Sequence, residues 1–296
     1  KHVGDLPDFL RKGDLLIFND SKVFKARLKA TIVNRLHRDR GMEVEIFLLR
    51  PDHDVWIALA KPGKKLRVGT KVEFANGFKA TVLGKRDDGT IDLDFNLPAE
   101  RVFELADEHG EVPVPPYVEP TKENTETYQT VYADKVGSVA APTAGFHFTK
   151  DLLAKLDAKG IERAFVTLHV GLGTFRPMKS ETLAEHVMHE EWAHVPPETR
   201  DMIAKAKSEG RRVIVVGTTA MRALESGVES GFTKLITPGY QFKVADGLIT
   251  NFHLPKSTLI VLVSAFAGRE HVLAAYEHAM KNDYRFYSFG DAMLIV

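Results

Sequence analysis

Arg212-Val-Ile-Val-Val-Gly-Thr-Thr-Ala-Met-Arg-Ala-Leu-Glu-Ser226 writes a strand, a turn and a helix one after another. Val213 to Val216 is an unbroken β-branched run, the pattern of a strand buried on both faces. Gly217-Thr218-Thr219 then turns into a helix from Ala220 to Ser226. The flanking sequence repeats the alternation. Thr149 caps a helix in which Leu152, Leu153 and Leu156 share a face, and Gly160 ends it. A strand follows from Ala164 to Val170. Pro196 to Gly210 reads as a second helix, and Ser257 caps another after Pro255. Gly13-Asp-Leu-Leu-Ile-Phe-Asn-Asp20 has the form of a strand of the same layer. Strands alternating with helices predict a mixed or parallel sheet covered by helices.

The stretch from Ala26 to Asn96 has a different grammar. Met42 to Leu49, Val55 to Leu59 and Lys79 to Leu83 have strand character and are separated by close turns. Asn76-Gly77 and Asp88-Gly89 supply the positive φ angles of tight hairpins. Short strands without a helical period suggest a small antiparallel barrel. The expected fold is therefore α/β, a mixed sheet with helices plus an inserted small antiparallel β-barrel domain. The barrel takes residues 26–111, and the α/β domain is discontinuous, residues 1–25 and 112–296.

A chain of 296 residues, 44% hydrophobic and 27% charged, has the composition of a globular protein with a proper core. The longest apolar run, Leu259 to Ala267, is too short to cross a bilayer, and no signal peptide opens the chain. It begins at Lys1 rather than Met, which leaves room for a leader or further segment upstream. The lack of cysteine excludes disulfides, thiolate metal sites and a cysteine nucleophile, and fits a reducing cytoplasm. Formal net charge is zero, so a nucleic acid must be met by a local basic patch.

Three segments combine an apolar run, one histidine, and Gly or Pro with hydroxyls. They are Ser138-Val-Ala-Ala-Pro-Thr-Ala-Gly-Phe-His-Phe-Thr149, Thr167-Leu-His-Val-Gly-Leu-Gly-Thr-Phe-Arg176 and Thr250-Asn-Phe-His-Leu-Pro-Lys-Ser-Thr258. Small residues let a ligand lie against backbone, and an imidazole titrates near neutrality. A tight strand-to-helix turn with a satisfied histidine explains any one of them as well. Three of one kind suggest the rim of a site around His147, His169 and His253.

Other candidates have bland alternatives beside them. Gly217-Thr218-Thr219 at a helix N-terminus suits an anion or polar edge, although capping alone accounts for the threonines. Arg222, one turn in, is placed to meet a carboxylate. Gly171-Leu-Gly-Thr-Phe-Arg176 lacks the third glycine of a dinucleotide fingerprint, so Rossmann-type binding is rejected. His186 and His189 have i, i+3 spacing, but no His-Glu-x-x-His motif appears and no metal site is expected. Asp20 is either a base or the partner of Arg27. Pro113-Val-Pro-Pro-Tyr117 reads as a stiff linker, and Tyr128 and Tyr132 offer hydroxyls for bases, with a core role the simpler reading for Tyr132. Arg285 and Asp291 sit in a terminal aromatic run that packing explains only in part.

Taken together, these blocks resemble the S-adenosylmethionine:tRNA ribosyltransferase-isomerase family of queuosine biosynthesis. The resemblance rests on Gly13 to Asp20 with Ala26-Arg-Leu28, Pro115-Pro-Tyr117, Tyr128 to Ala133, Ser138 to Thr149, and His169 to Arg176. It continues through Val216 to Ser226, Pro238-Gly-Tyr240, Thr250 to Thr258, Val263 to Gly268 and Tyr284 to Ile295, so it spans the chain. The family's N-terminal segment ahead of Lys1 is absent, and the join from Gly227 to Thr233 is shorter than the family pattern. The resemblance implies transfer and isomerisation of the ribosyl part of S-adenosylmethionine onto 7-aminomethyl-7-deazaguanine at the tRNA wobble position. Epoxyqueuosine forms, and adenine and methionine leave. No bound cofactor is expected, since S-adenosylmethionine is a consumed substrate.

That chemistry needs a base beside C5′, whose hydrogen the sulfonium acidifies, a neutral attacking amine and a proton for departing adenine. The expected catalytic set is His147, His169, His253 and Asp20. Arg176, Arg222 or Lys256 is expected to hold the methionine carboxylate, and Tyr128 or Phe148 to face the sulfonium. Gln129, Thr143, Gly145, Gly171, Gly173, Thr218, Thr219, Asn251, Arg285 and Asp291 complete the expected substrate contacts. A cytoplasmic monomer working on tRNA, away from membranes, is the expected setting. The alternatives are a metal-dependent hydrolase and a non-catalytic tRNA-binding protein.

Overall fold

A computed structural model describes residues 1–33, 41–115, 117–171, 191–233 and 236–296. The described chain divides into two compact units. The first comprises Lys1–Lys22, Gln129–Lys135 and Ala141–Val296, and the second Val23–Tyr128 and Val136–Ala140. In chain order the elements begin with helix α1 (Leu6–Phe9), strand β1 (Leu15–Asn19) and strand β2 (Ser21–Val23). Strands β3 (Arg27–Ile32), β4 (Glu43–Asp52), β5 (Val55–Lys61), β6 (Lys71–Phe74), β7 (Lys79–Lys85) and β8 (Ile91–Asp94) follow. Helices α2 (Ala99–His109) and α3 (Lys122–Thr127) lead to β9 (Lys135–Ser138) and α4 (Lys150–Ala158). Then come β10 (Glu162–Leu168), β11 (Trp192–His194), α5 (Pro197–Ser208), β12 (Val213–Val216) and α6 (Thr218–Glu225). The chain closes with β13 (Ser230–Phe232), β14 (Gly247–Asn251), α7 (Thr258–Ala267), α8 (Arg269–Lys281) and β15 (Ala292–Ile295).

In the first unit, seven described strands form a mixed sheet in the order β13-β11-β10-β1-β12-β14-β15. The centre is parallel: β1 pairs with β10 and β12, and β12 with β14. These strands are fully buried apolar runs because helices cover both faces. β11, β13 and β15 join antiparallel at the two sides. Alternation divides the central residues. Leu16, Phe18, Ile214, Val216 and Ile249 enter one cluster with Leu152, Leu153 and Leu156 of α4. α6 packs against β10, β1, β12 and β14. Thr149 caps α4 by accepting from the Leu152 amide at 3.2 Å, as Ser257 caps α7 from Ile260 at 3.4 Å. Ser138 to Thr149 is not one strand. β9 stops at Ser138, and a 3-10 turn spans Thr143–His147 because Pro142 has no N–H to extend a ladder.

In the second unit, six antiparallel strands close into a barrel in the order β3-β4-β5-β8-β7-β6, with β6 returning to β3. Inward residues alternate along β3 and β4, so Leu28, Ala30, Val44, Ile46 and Leu48 are buried. An aromatic trio of Phe24, Trp56 and Phe103 packs edge to face, with centroids 4.9 to 6.0 Å apart. Helix α2, unmarked in the sequence reading, brings Phe103 to that contact. Among the described residues no single helix is long and apolar enough to cross a membrane, and α7 and α8 are bent by 114° at Gly268.

Candidate functional site

The strand order places β10 on one side of β1 and β12 on the other, so successive strands leave β1 in opposite directions. Open α/β sheets leave a crevice at such a point, outside the carboxyl ends of the strands. Asn19 ends β1 there. Its Nδ2 donates to the Leu168 carbonyl at 3.0 Å and to Thr219 Oγ1 at 3.2 Å. Its Oδ1 accepts from the amides of Leu168 at 3.0 Å and Ser21 at 3.1 Å. One buried amide thus ties the ends of β1 and β10 to the first turn of α6. Thr218 is buried beside Thr219 at that helix start.

His147 is presented by the 3-10 turn, whose first residue is the half-buried Thr143. Its Nε2 lies 3.1 Å from Asn251 Oδ1 at the end of β14. Asn251 Nδ2 donates to the carbonyls of Tyr287 at 2.9 Å and Ser288 at 3.3 Å. Burial pushes the His147 imidazole below its ordinary value, opposed by the Asn251 bond and the charge of Asp291. His147, Arg285 and Asp291 line a cavity of about 510 Å³ walled by Leu6, Ile249 and Leu294. That volume falls within the range of small-molecule pockets. Arg285 and Asp291 are joined twice. The Arg285 amide donates to Asp291 Oδ2 at 2.7 Å, and the guanidinium reaches Oδ1 at 3.5 Å. Gly290 permits this tight loop, since a Cβ there would lie 2.4 Å from the Arg285 carbonyl oxygen.

Gly145 has a packing reason to be glycine. An added Cβ would stand 2.1 Å from the Tyr132 hydroxyl and 2.6 Å from Thr130 Cγ2. The space is filled by protein. Tyr132 packs on Phe18 with centroids 4.8 Å apart, and burial raises its phenol far above the ordinary range. Beside it, Asp20 Oδ1 accepts from Thr167 Oγ1 at 2.7 Å. Burial raises the Asp20 carboxyl, and the Thr167 bond opposes the rise.

The three imidazoles have separate partners. His253 Nε2 lies 2.8 Å from Thr250 Oγ1, while its backbone amide donates to the Tyr276 hydroxyl oxygen at 2.7 Å. Thr250 and Asn251 are neighbours in β14, so their side chains leave opposite faces of the sheet. His169 stacks on Trp192 at 5.5 Å, and its buried Nδ1 meets no partner among the described residues. Burial pushes both His169 and His253 down to about 4. Each is neutral at neutral pH.

Other expected contacts are already engaged. Arg222 forms a buried ion pair with Glu191 at 2.8 Å and donates through Nε to Thr233 Oγ1 at 2.9 Å. Glu191 Oε1 also accepts the Gly171 amide at 3.0 Å. Phe148 is buried edge-on to Phe18 in the core of the first unit. Tyr128 is buried in the second unit, and Gln129 opens the return into the first. Lys256 is exposed on a turn with φ of 55°. Gly173, Arg176, His186 and His189 lie outside the described residues. Among those described, no group of three His, Asp or Glu is placed to hold a metal.

Sequence reasoning passed over Glu191 and Tyr287. Neither had a local signal: Glu191 meets Arg222 only through the fold, and the Tyr287 carbonyl matters through its backbone. What the arrangement offers chemically is a neutral imidazole beside a carboxylate–guanidinium pair at one end of a small-molecule cavity.

The chain matches the queuosine biosynthesis protein family over residues 1–295. Among solved structures it is similar to an S-adenosylmethionine tRNA ribosyltransferase from Thermotoga maritima, with 35% identity and a TM-score of 0.50. That match covers 99% of this chain and 86% of the other. A match from end to end, over both the mixed sheet and the barrel, makes this chain a member of the queuosine biosynthesis protein family.

Proposed function

We propose that this protein is a transferase that moves the ribosyl group of S-adenosylmethionine onto the 7-aminomethyl-7-deazaguanine base of tRNA and isomerises it. Epoxyqueuosine forms, and adenine and methionine are released. Family membership and the likeness to the Thermotoga maritima enzyme support the reaction class. Within the molecule, the observation that carries the reading is His147, a depressed imidazole on a cavity it shares with Arg285 and Asp291.

The roles follow from the chemistry. His147 takes the proton from C5′ of the ribosyl group, which the adjacent sulfonium acidifies. Arg285, largely exposed on the same cavity, meets the methionine carboxylate in a charge-assisted contact. Asp20 keeps a share of protonated form above the usual carboxylate range and is the candidate to pass a proton to departing adenine. His169 and His253, held neutral by burial, act as hydrogen-bonding groups. The sulfonium nucleoside is consumed, so the reading requires no resident cofactor. The base acted on is at the wobble position, and the protein works as a cytoplasmic monomer.

Adenine release on mixing with S-adenosylmethionine and tRNA carrying the aminomethyl base is the test. His147→Ala is expected to slow release by about 10²–10⁴. Near-wild-type release from that variant would remove His147 from the mechanism. No release from the wild-type chain would remove the function.

A further inference from the structure

The amide of Asn251 can be assigned without ambiguity. Tyr287 and Ser288 present carbonyl oxygens, which only accept, at 2.9 and 3.3 Å from Nδ2. Turning the amide over would set Oδ1 against both of them. Oδ1 therefore faces His147, and a carbonyl oxygen can only accept. The imidazole nitrogen 3.1 Å away, Nε2, must carry a proton in that contact. Two further features hold Asn251 in place. Tyr287 sits at φ of 73°, an uncommon conformation for a bulky residue, and is fixed there by its N–H donating to the Phe252 carbonyl at 2.9 Å. Gly290 donates to the Tyr287 carbonyl at 3.1 Å, closing the same loop.

We infer that Asn251 is a positioning residue that fixes His147 as the Nε2–H tautomer, so that Nδ1 presents its lone pair as the proton acceptor. No hydrogen bond among the described residues occupies Nδ1. Because Asn251 accepts from Nε2–H in both the neutral and the protonated ring, it supports His147 before and after proton uptake. This deepens the reading above and rests on it for the role of the base; the tautomer rests on the hydrogen bonds alone.

Two-bond ¹H–¹⁵N spectra of the histidine-labelled full chain, with His147→Gln to assign the signal, read the tautomer directly. Protonated Nε2 with bare Nδ1 is expected in the wild-type chain, and the reverse overturns the inference. Asn251→Ala is expected to mix the tautomers, lower kcat for adenine release about tenfold or more, and leave KM for S-adenosylmethionine within about twofold. The acid limb of its pH profile moves to lower pH, since a bond favouring the charged ring is lost. Retention of both the pure tautomer and kcat in that variant overturns the inference as well. Asn251→Ser replaces Asn251→Ala if the latter does not fold, with the same expectations. A wild-type chain that releases no adenine sinks the functional reading, and the spectrum then still upholds or overturns the tautomer by itself.

Discussion

Asp20 is 9% exposed at the end of a parallel strand, where a charged carboxylate loses most of its water. Burial raises its affinity for a proton above the ordinary 3.8, and the single hydroxyl of Thr167 does not restore the loss. The folded chain therefore holds this proton more tightly than the unfolded chain does. By linkage, the stability the group contributes is present in full below the unfolded value and is lost as pH rises through the folded one. Asp20→Asn keeps an acceptor for Thr167 and removes the titration. Its melting temperature is expected to exceed that of the wild type at about pH 7, with the gap closing as pH falls toward about 4. A gap that stays constant over that range would refute the account. A carboxylate kept at such a cost fits a group retained for chemistry rather than for stability. At this scale the sequence was informative about residue type and silent about pairing. His147 and Asn251 were both legible as candidates, for each stands beside Gly, Pro or a hydroxyl at a strand end. Their contact was not, because 104 residues separate them and only the sheet brings them together.

Among the secondary elements, α6 and the residue just ahead of β11 are joined by Arg222 and Glu191, whose side chains are 6% and 2% exposed. A buried pair of this kind contributes little net stability as a pair, but removing one member leaves the other charge without compensation. Glu191→Ala or Arg222→Ala alone is expected to cost about 3–5 kcal/mol in urea denaturation. Arg222→Met with Glu191→Leu is expected to cost much less than the sum of the two single changes. Additive losses would count against the pair. Glu225, the last residue of α6, is fixed differently: its carboxylate accepts the amides of Lys243, Val244 and Ala245, each at 2.9 Å. Elements with a local code were readable from sequence. Thr149 and Ser257 cap the helices they were expected to cap, and the β-branched run before Gly217 is β12. β11 and β13 were not readable, since each has three residues and neither carries an alternating pattern long enough to register. Ser138 to Thr149, which a tight strand-to-helix turn explained from sequence, is such a turn, dictated by Pro142 and the close approach at Gly145.

On the scale of the molecule, the barrel was legible from short strands punctuated by turns, among which Asn-Gly and Asp-Gly pairs mark hairpins. Its hydrogen-bond ring closes among strands between Arg27 and Asp94, and most of its buried residues come from those strands and from α2. A fragment of residues 23–140, which holds every segment of the second unit, is expected to fold by itself and melt cooperatively with a β-type circular dichroism spectrum. A broad, non-cooperative melt would contradict that independence. Ring closure also bears on what happens when many copies are made at once. A closed ring leaves no unpaired strand to recruit a neighbouring chain, whereas among the described residues the mixed sheet ends at β13 and β15, strands of three and four residues. Aggregates formed during synthesis or heating are thus expected to grow from the borders of the sheet. A proline or lysine placed on β15 would be the economical remedy.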